Sequence, residues 1–185
     1  MIGVCIEMQN SRRTLDTKSI IIIALFTAQA LVLSIIENFI PLPVAIPGVK
    51  LGLANIIVLT VIILIGLKEA LILVALRTSI SSFFSGGFIV FLFSLAGGIL
   101  STIVMNYLYK KAGKVFSIVG ISIAGAIVHN IGQLTMAIIV MKTFSVIGYL
   151  PFLLISGIIT GAFVGLCANY MVRILKNLDI LTKYK

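Results

Sequence analysis

The chain is poor in charged residues, and acidic residues are the rarest of these. Of its 185 residues, 10% are charged and only five are Asp or Glu. No two of the five are near neighbours in sequence; they are Glu7, Asp16, Glu37, Glu69 and Asp179. Aspartate-rich motifs hold Mg²⁺ on a diphosphate through clustered carboxylate oxygens. The sequence therefore excludes an active site of this kind.

Other residues that carry out catalysis are also scarce. The chain has one histidine, and its two cysteines, Cys5 and Cys167, match the spacing of no metal or redox motif. It has no Gly-rich loop with a following lysine that could cradle a phosphate. We therefore expect that the protein is not an enzyme and that it uses no metal or other cofactor.

Apolar residues dominate what is present. They make up 61% of the sequence, more than a soluble domain can bury, so lipid must cover most of the surface. A membrane-spanning helix needs roughly 20 mostly apolar residues. Six windows approach this length: 19–40, 51–67, 69–84, 88–109, 115–141 and 146–175. The sequence predicts an all-α membrane protein, with residues 1–185 forming one transmembrane domain of six helices. The alternative for the second and third windows is a single helix kinked at Gly66.

The basic residues predict the orientation of this bundle. Lys and Arg in short loops are retained in the cytoplasm. Eleven of the fourteen basic residues fall on one side: Arg12, Arg13, Lys18, Lys68, Lys110, Lys111, Lys114, Arg173, Lys176, Lys183 and Lys185. Lys50 and Lys142 fall on the other side, and Arg77 lies within a span. We expect a multi-pass protein of the cytoplasmic membrane whose tails, 1–18 and 176–185, are cytoplasmic. The net charge of +9 is explained by topology and anionic lipid, so we expect no nucleic-acid partner.

Polar residues within the spans are candidates for a binding site, because an ionisable group in hydrocarbon is costly without a partner or a cavity. At ~1.5 Å per residue, four spans place their polar groups at one level in the outer half. The expected ligand residues are Glu37, Lys50, Asn55, Arg77, His129, Asn130 and Gln133. The inner half shows only small residues and an occasional Ser or Thr. The alternatives are structural: a Glu37–Arg77 ion pair, a helix-bonding His129 and an Asn55 cap.

Two local patterns complete the sequence analysis. Prolines at 41, 43 and 47 predict an extended loop over the mouth of the bundle, which is either a lid or a rigid connector. Small residues spaced by four mark close helix contacts. Gly157, Gly161 and Gly165 are expected to pack within the bundle, whereas Ala24 and Ala28 are candidates for contact with another protein.

The residues Ile46-Pro-Gly-Val-Lys-Leu-Gly-Leu-Ala-Asn55 resemble the Gx transporter family, whose members also carry the description heptaprenyl diphosphate synthase component I. The likeness extends over most of the six spans. That family is similar to the substrate-binding S components of energy-coupling factor (ECF) transporters. This resemblance implies six helices, a small-molecule site near the outer face under the first loop, and an Ala-xxx-Ala motif that docks on a transmembrane coupling protein driven by two ATPases. Ala24 and Ala28 match the motif.

The resemblance and the residues together favour a substrate-capture subunit of a modular uptake system, for an anionic or amphiphilic molecule. One alternative is a non-catalytic membrane accessory subunit for polyprenyl diphosphate or quinone synthesis. A self-sufficient carrier is a third possibility, although the chain shows no repeated half.

We expect Lys50 and Lys142 to lie outside the cell and Lys111 to lie inside. In a background without Cys5 and Cys167, a membrane-impermeant maleimide should label Lys50→Cys and Lys142→Cys on intact cells. It should label Lys111→Cys only after permeabilisation. Labelling of position 111 on intact cells would contradict the six-span topology.

Overall fold

The computed structural model describes residues 17–39, 52–85, 87–112 and 115–177. Within these ranges the chain is helical, with a short 3-10 helix at Phe144–Tyr149 and no strand. The six α-helices are α1 (Thr17–Phe39), α2 (Leu53–Leu64), α3 (Leu67–Ser85), α4 (Gly87–Ala112), α5 (Ile118–Met141) and α6 (Leu150–Asn177). The predicted lid (41–48), Lys50 and most of both predicted tails lie outside the described residues.

The helices confirm a multi-pass membrane protein. Four are long and apolar enough to cross a bilayer: α1, α4, α5, and α6 together with the 3-10 helix before it. The other two differ from these. Helix α3 has 19 residues but carries three charged side chains, Lys68, Glu69 and Arg77. Helix α2 has only 12 residues, or ~18 Å of rise, which is shorter than the hydrocarbon core.

Local signals explain where several helices begin and end. The Ser117 hydroxyl accepts a hydrogen bond from the Gly120 N–H at 3.1 Å, which caps the start of α5. Lys142 ends α5 in a left-handed conformation, with φ of 50°. Pro151 lies in the first turn of α6, where its missing N–H would have had no partner in the helix.

Helix α2 forms the centre of the bundle. It contacts α1, α3, α4 and α6, and every side chain from Ala54 to Ile62 except Asn55 is buried. A helix that is apolar on all faces belongs in an interior. Its one buried hydroxyl, on Thr60, donates to the Ile56 carbonyl at 2.7 Å. The shortest α-helix therefore packs against four of the other five.

A turn at Ile65 and Gly66 separates α2 from α3. Gly66 has φ of 148°, a conformation that favours glycine, and its N–H donates to the Val61 carbonyl at 3.0 Å. Asn55 near the start of α2 and Arg77 in the second half of α3 line the same cavity, so α3 runs back alongside α2. The alternative of one long kinked helix is wrong.

Glycines allow α5 and α6 to approach closely. Gly157, Gly161 and Gly165 are all buried. A Cβ atom on Gly165 would lie 2.6 Å from the Val119 Cα, and one on Gly161 would lie 2.8 Å from the Ile123 Cα. The neighbouring atoms are backbone, which has little freedom to move. The prediction that these glycines pack within the bundle is confirmed.

We expect Gly165→Ala to destabilise the protein by about 1 to 3 kcal/mol, because the added methyl group would overlap the α5 backbone. Gly120→Ala is the matched control, since a Cβ there meets its nearest atoms at 3.5 Å and 3.6 Å. In the control, the higher helix propensity of alanine should leave stability unchanged or raised. Thermal unfolding followed by circular dichroism in detergent measures both. Equal melting temperatures for the two variants would contradict the close α5–α6 contact.

Candidate functional site

Two adjoining cavities lie inside the bundle, and one of them is toward the end at which α1, α3 and α5 finish. We call this the outer end, because the basic residues predict that it faces away from the cytoplasm. The charged cavity has a volume of about 50 Å³ and is lined by Ser34, Glu37, Gly52, Asn55, Arg77, Thr78, Ser81, Ser82, Val90, Ser94, His129 and Gln133.

The second cavity, which we call the amide cavity, has a volume of about 40 Å³. It is lined by Gly52, Asn55, Met105, Ser122, Gly125, Ala126, His129, Asn130, Gln133, Thr160, Gly161 and Val164. Four residues line both cavities and therefore lie between them: Gly52, Asn55, His129 and Gln133. The two cavities form one polar region, and each of the six α-helices contributes residues to it.

Glu37 connects the charged cavity to the start of the central helix. It lies near the end of α1, is only 7% exposed, and its Oε1 accepts a hydrogen bond from the Gly52 N–H at 2.6 Å. Gly52 precedes α2 in a left-handed conformation with φ of 73° and has no side chain to cap the helix. The Glu37 carboxylate thus supplies both an acceptor and a negative charge at the positive end of the α2 dipole.

Arg77 brings a positive charge into the same cavity. It is 9% exposed, and Glu37 is the charge that interacts with it. Among the residues that the structure describes, no hydrogen-bond partner reaches the buried Arg77 Nε. A guanidinium has five donors in a planar fork that matches a carboxylate or phosphate. The cavity therefore contains a cationic donor group of a kind that suits an anion.

Helix α5 contributes His129 and Gln133, which lie one turn apart. Their position depends on Gly97 of α4. A Cβ atom there would lie 2.7 Å from the His129 carbonyl oxygen, 2.9 Å from the Gln133 Cγ and 3.2 Å from the His129 Cε1. Gly97 therefore makes room for both side chains between the two helices. Nothing in the sequence shows which helix Gly97 faces.

Asn130 has a structural role besides lining the amide cavity. Its Nδ2 donates to the Leu153 carbonyl of α6 at 2.6 Å. A Cβ atom on Gly157 would lie 2.8 Å from this Nδ2, so the glycine leaves space for the amide. Asn130 thus ties α5 to α6.

The structure brings six of the seven expected ligand residues to the two cavities, and Lys50 lies outside the described residues. Glu37 and Arg77 line the charged cavity, Asn130 the amide cavity, and Asn55, His129 and Gln133 both. Asn55 is the third residue of α2, after the Gly52 cap, so it is not a helix cap. Seven hydroxyl residues that line the cavities were not among the expected ligand residues: Ser34, Thr78, Ser81, Ser82, Ser94, Ser122 and Thr160.

The inner half of the bundle differs from the sequence-based expectation at one position. Asn106, near the end of α4, is buried, and no hydrogen-bond partner for its Oδ1 lies among the described residues. Ser101 and Thr102 nearby bond to the Gly98 carbonyl of their own helix, as expected for isolated hydroxyls. The expectation that only small residues and hydroxyls occupy this half is wrong at Asn106.

Ala24 and Ala28 lie on the side of α1 that faces away from the bundle. Both are exposed, whereas Ile23, Phe26 and Ala30 of the same helix point into the core. The alanine pair is therefore not used for packing within the bundle.

Comparison with known proteins identifies one family. A family model described as Heptaprenyl diphosphate synthase component I matches residues 26–171. The match covers most of the chain and includes both cavities and Ala28, while Ala24 lies just before it. No curated protein and no solved structure shows a significant match.

We expect the Glu37–Gly52 hydrogen bond to stabilise the start of α2. In an Arg77→Gln background, Glu37→Gln keeps an acceptor for the Gly52 N–H and Glu37→Ala does not. Both double variants lack both charges, so their difference reports the acceptor and the side-chain packing that accompanies it. The Ala variant should be less stable by about 1 kcal/mol or more. Denaturation in mixed micelles measures this, and equal stabilities would refute the role of the bond.

Proposed function

The chain belongs to the heptaprenyl diphosphate synthase component I family, and from this premise we propose that it is the membrane-embedded substrate-binding component of an ECF-type uptake transporter. It captures a small anionic or amphiphilic molecule from outside the cell and passes it to a coupling module in the same membrane. The observation that carries the proposal is the charged cavity, which holds a buried guanidinium between apolar helices at the outer end.

The charged cavity suits a binding protein. Burying a guanidinium is costly, and such residues in membrane proteins mark ligand and ion pathways. Glu37 offsets part of the charge of Arg77 but also accepts the Gly52 N–H. An anionic ligand group would accept hydrogen bonds from guanidinium donors. Asn55, His129 and Gln133 add groups that can donate or accept hydrogen bonds at the same level.

The placement of the carboxylates speaks against a synthase reaction in this subunit. Of the five acidic residues in the sequence, two lie in the described ranges. Glu37 is at the outer end, whereas Glu69 is in the first turn of α3, beside the Gly66 turn at the opposite end. These two carboxylates cannot hold one metal ion between them. We therefore assign the subunit a binding role and no catalytic role.

The exposed alanine pair supports a partner in the membrane. Small residues let two helix backbones approach closely, which favours association between helices in lipid. Ala24 and Ala28 lie in the half of α1 that the basic residues place toward the cytoplasm. We propose that they contact a transmembrane coupling protein, which in turn binds two ATPase subunits. The six helices form one transmembrane domain of the cytoplasmic membrane, with both termini in the cytoplasm.

We expect the double variant Ala24→Trp/Ala28→Trp to reduce copurification with a coupling protein and ATPases about tenfold or more. An indole in a close helix contact costs about 1 to 3 kcal/mol, and 1.4 kcal/mol is a factor of ten. Both positions are exposed, so the isolated protein should keep its melting temperature.

The matched control is Val32→Trp/Ile36→Trp, which places two indoles on exposed positions of the same helix nearer the outer end. Copurification of this variant should equal that of the unmodified protein. A lowered melting temperature of the Ala24→Trp/Ala28→Trp protein would show that the alanine pair packs within the bundle. Recovery of a soluble prenyltransferase in place of ATPases would favour the accessory role in isoprenoid synthesis.

A further inference from the structure

An aromatic groove lies on the surface of the bundle between the end of α3 and the start of α4. It has a volume of about 320 Å³ and is lined by Ser79, Ser82, Phe83, Gly87, Phe88 and Phe91. Phe83 is 88% exposed and Phe88 is 73% exposed. The Phe88 and Phe91 rings contact each other with their centroids 6.1 Å apart. The groove is thus an open, largely apolar surface at the outer end.

The aromatic groove adjoins the charged cavity, because Ser82 of α3 lines both. The Ser82 hydroxyl donates to the Ser79 carbonyl of its own helix at 2.9 Å. A molecule that extends from the cavity into the groove would therefore pass a small side chain whose hydroxyl bonds within its own helix.

The charged cavity and the aromatic groove differ in volume and can therefore hold molecules of different size. Ligand pockets that enclose a whole drug-sized molecule have roughly 300 to 1,000 Å³. The charged cavity, at about 50 Å³, has room for a few water molecules, since a cavity needs roughly 10 to 15 Å³ to hold one. It is the size of a compact head group. The aromatic groove, at about 320 Å³, has the room that the cavity lacks.

The chemistry of the two spaces is also different. The charged cavity contains the Arg77 guanidinium, more than nine-tenths buried, whose Nε has no hydrogen-bond partner among the described residues. The aromatic groove offers phenylalanine rings, which unlike the Trp and Tyr of interfacial belts have no polar group to place in the head-group region. One space suits an anion, and the other suits a hydrocarbon chain.

We propose that the substrate is a single-chain amphiphile with an anionic head, which places its head in the charged cavity beside Arg77 and its apolar chain past Ser82 in the aromatic groove. This inference rests on the proposed function and names the substrate class of the same site. Because the groove is open to lipid, the molecule enters sideways from the outer leaflet of the bilayer. An apolar chain then remains in an apolar environment throughout binding.

The absence of tryptophan from the chain permits a direct test. Phe88→Trp places a single indole in the groove, and Phe152→Trp places one on α6 at the same end of the bundle, where Phe152 is 62% exposed. The probe is a monoalkyl phosphate with bromine atoms on its chain, which quench indole fluorescence on contact. The protein is reconstituted in lipid nanodiscs.

We expect saturable quenching in the Phe88→Trp protein and only a linear, unsaturable rise in the Phe152→Trp protein. Adding Arg77→Gln should raise the half-saturating mole fraction at position 88 at least tenfold, the effect of losing a charge-assisted hydrogen bond. Ser82→Leu, which keeps Arg77 and fills the junction, should also remove saturation. This variant leaves the buried charge intact, so it covers the case in which Arg77→Gln fails to fold.

Equal quenching at positions 88 and 152 would overturn the inference, because the chain would then be distributed through the lipid. Saturable quenching unaffected by both Arg77→Gln and Ser82→Leu would also overturn it, since the head would lie elsewhere. Copurification with ATPases is an independent readout of the proposed function. If ATPases copurify but quenching is not saturable, the amphiphile is rejected and the transporter role is kept. If no ATPases copurify, the transporter role is rejected.

Discussion

The burial of one full positive charge between apolar helices is the constraint on which the outer end of the bundle depends. A guanidinium in this position must be compensated, and the compensating carboxylate, Glu37, comes from a different helix. Glu37 in turn accepts the N–H of Gly52, at the start of α2. The charge of Arg77, the end of α1 and the beginning of the central helix are therefore linked through one side chain. A ligand anion that reaches Arg77 alters the electrostatic environment of all three.

The sequence predicted six helical segments, and the described residues form six α-helices, of which four are long and apolar enough to cross a bilayer. The differences are instructive at α2. The sequence window 51–67 was shortened to Leu53–Leu64 by two glycines with positive φ, Gly52 before the helix and Gly66 after it. Hydropathy carries no information on backbone conformation, so the predicted apolar window includes both glycines.

The site was predicted in part, for a physical reason. The constant rise of a helix converts sequence distance into depth, which placed Glu37, Arg77 and His129 at one level. Depth does not tell which faces meet. The contact of Gly97 with His129, and the hydrogen bond from Asn130 to Leu153, depend on the rotation of neighbouring helices. The hydroxyls of Ser34 and Thr160 gave no signal, because a serine or threonine in a helix can satisfy itself on its own backbone.

The central position of the shortest α-helix has a consequence for the order of assembly during synthesis. Helix α2 emerges from the ribosome well before α6, yet α6 packs against it. At 12 residues, α2 is too short to extend across the hydrocarbon by itself, and part of its apolar surface faces neighbours that are synthesised later. The core around α2 can be completed only after α6 has been synthesised.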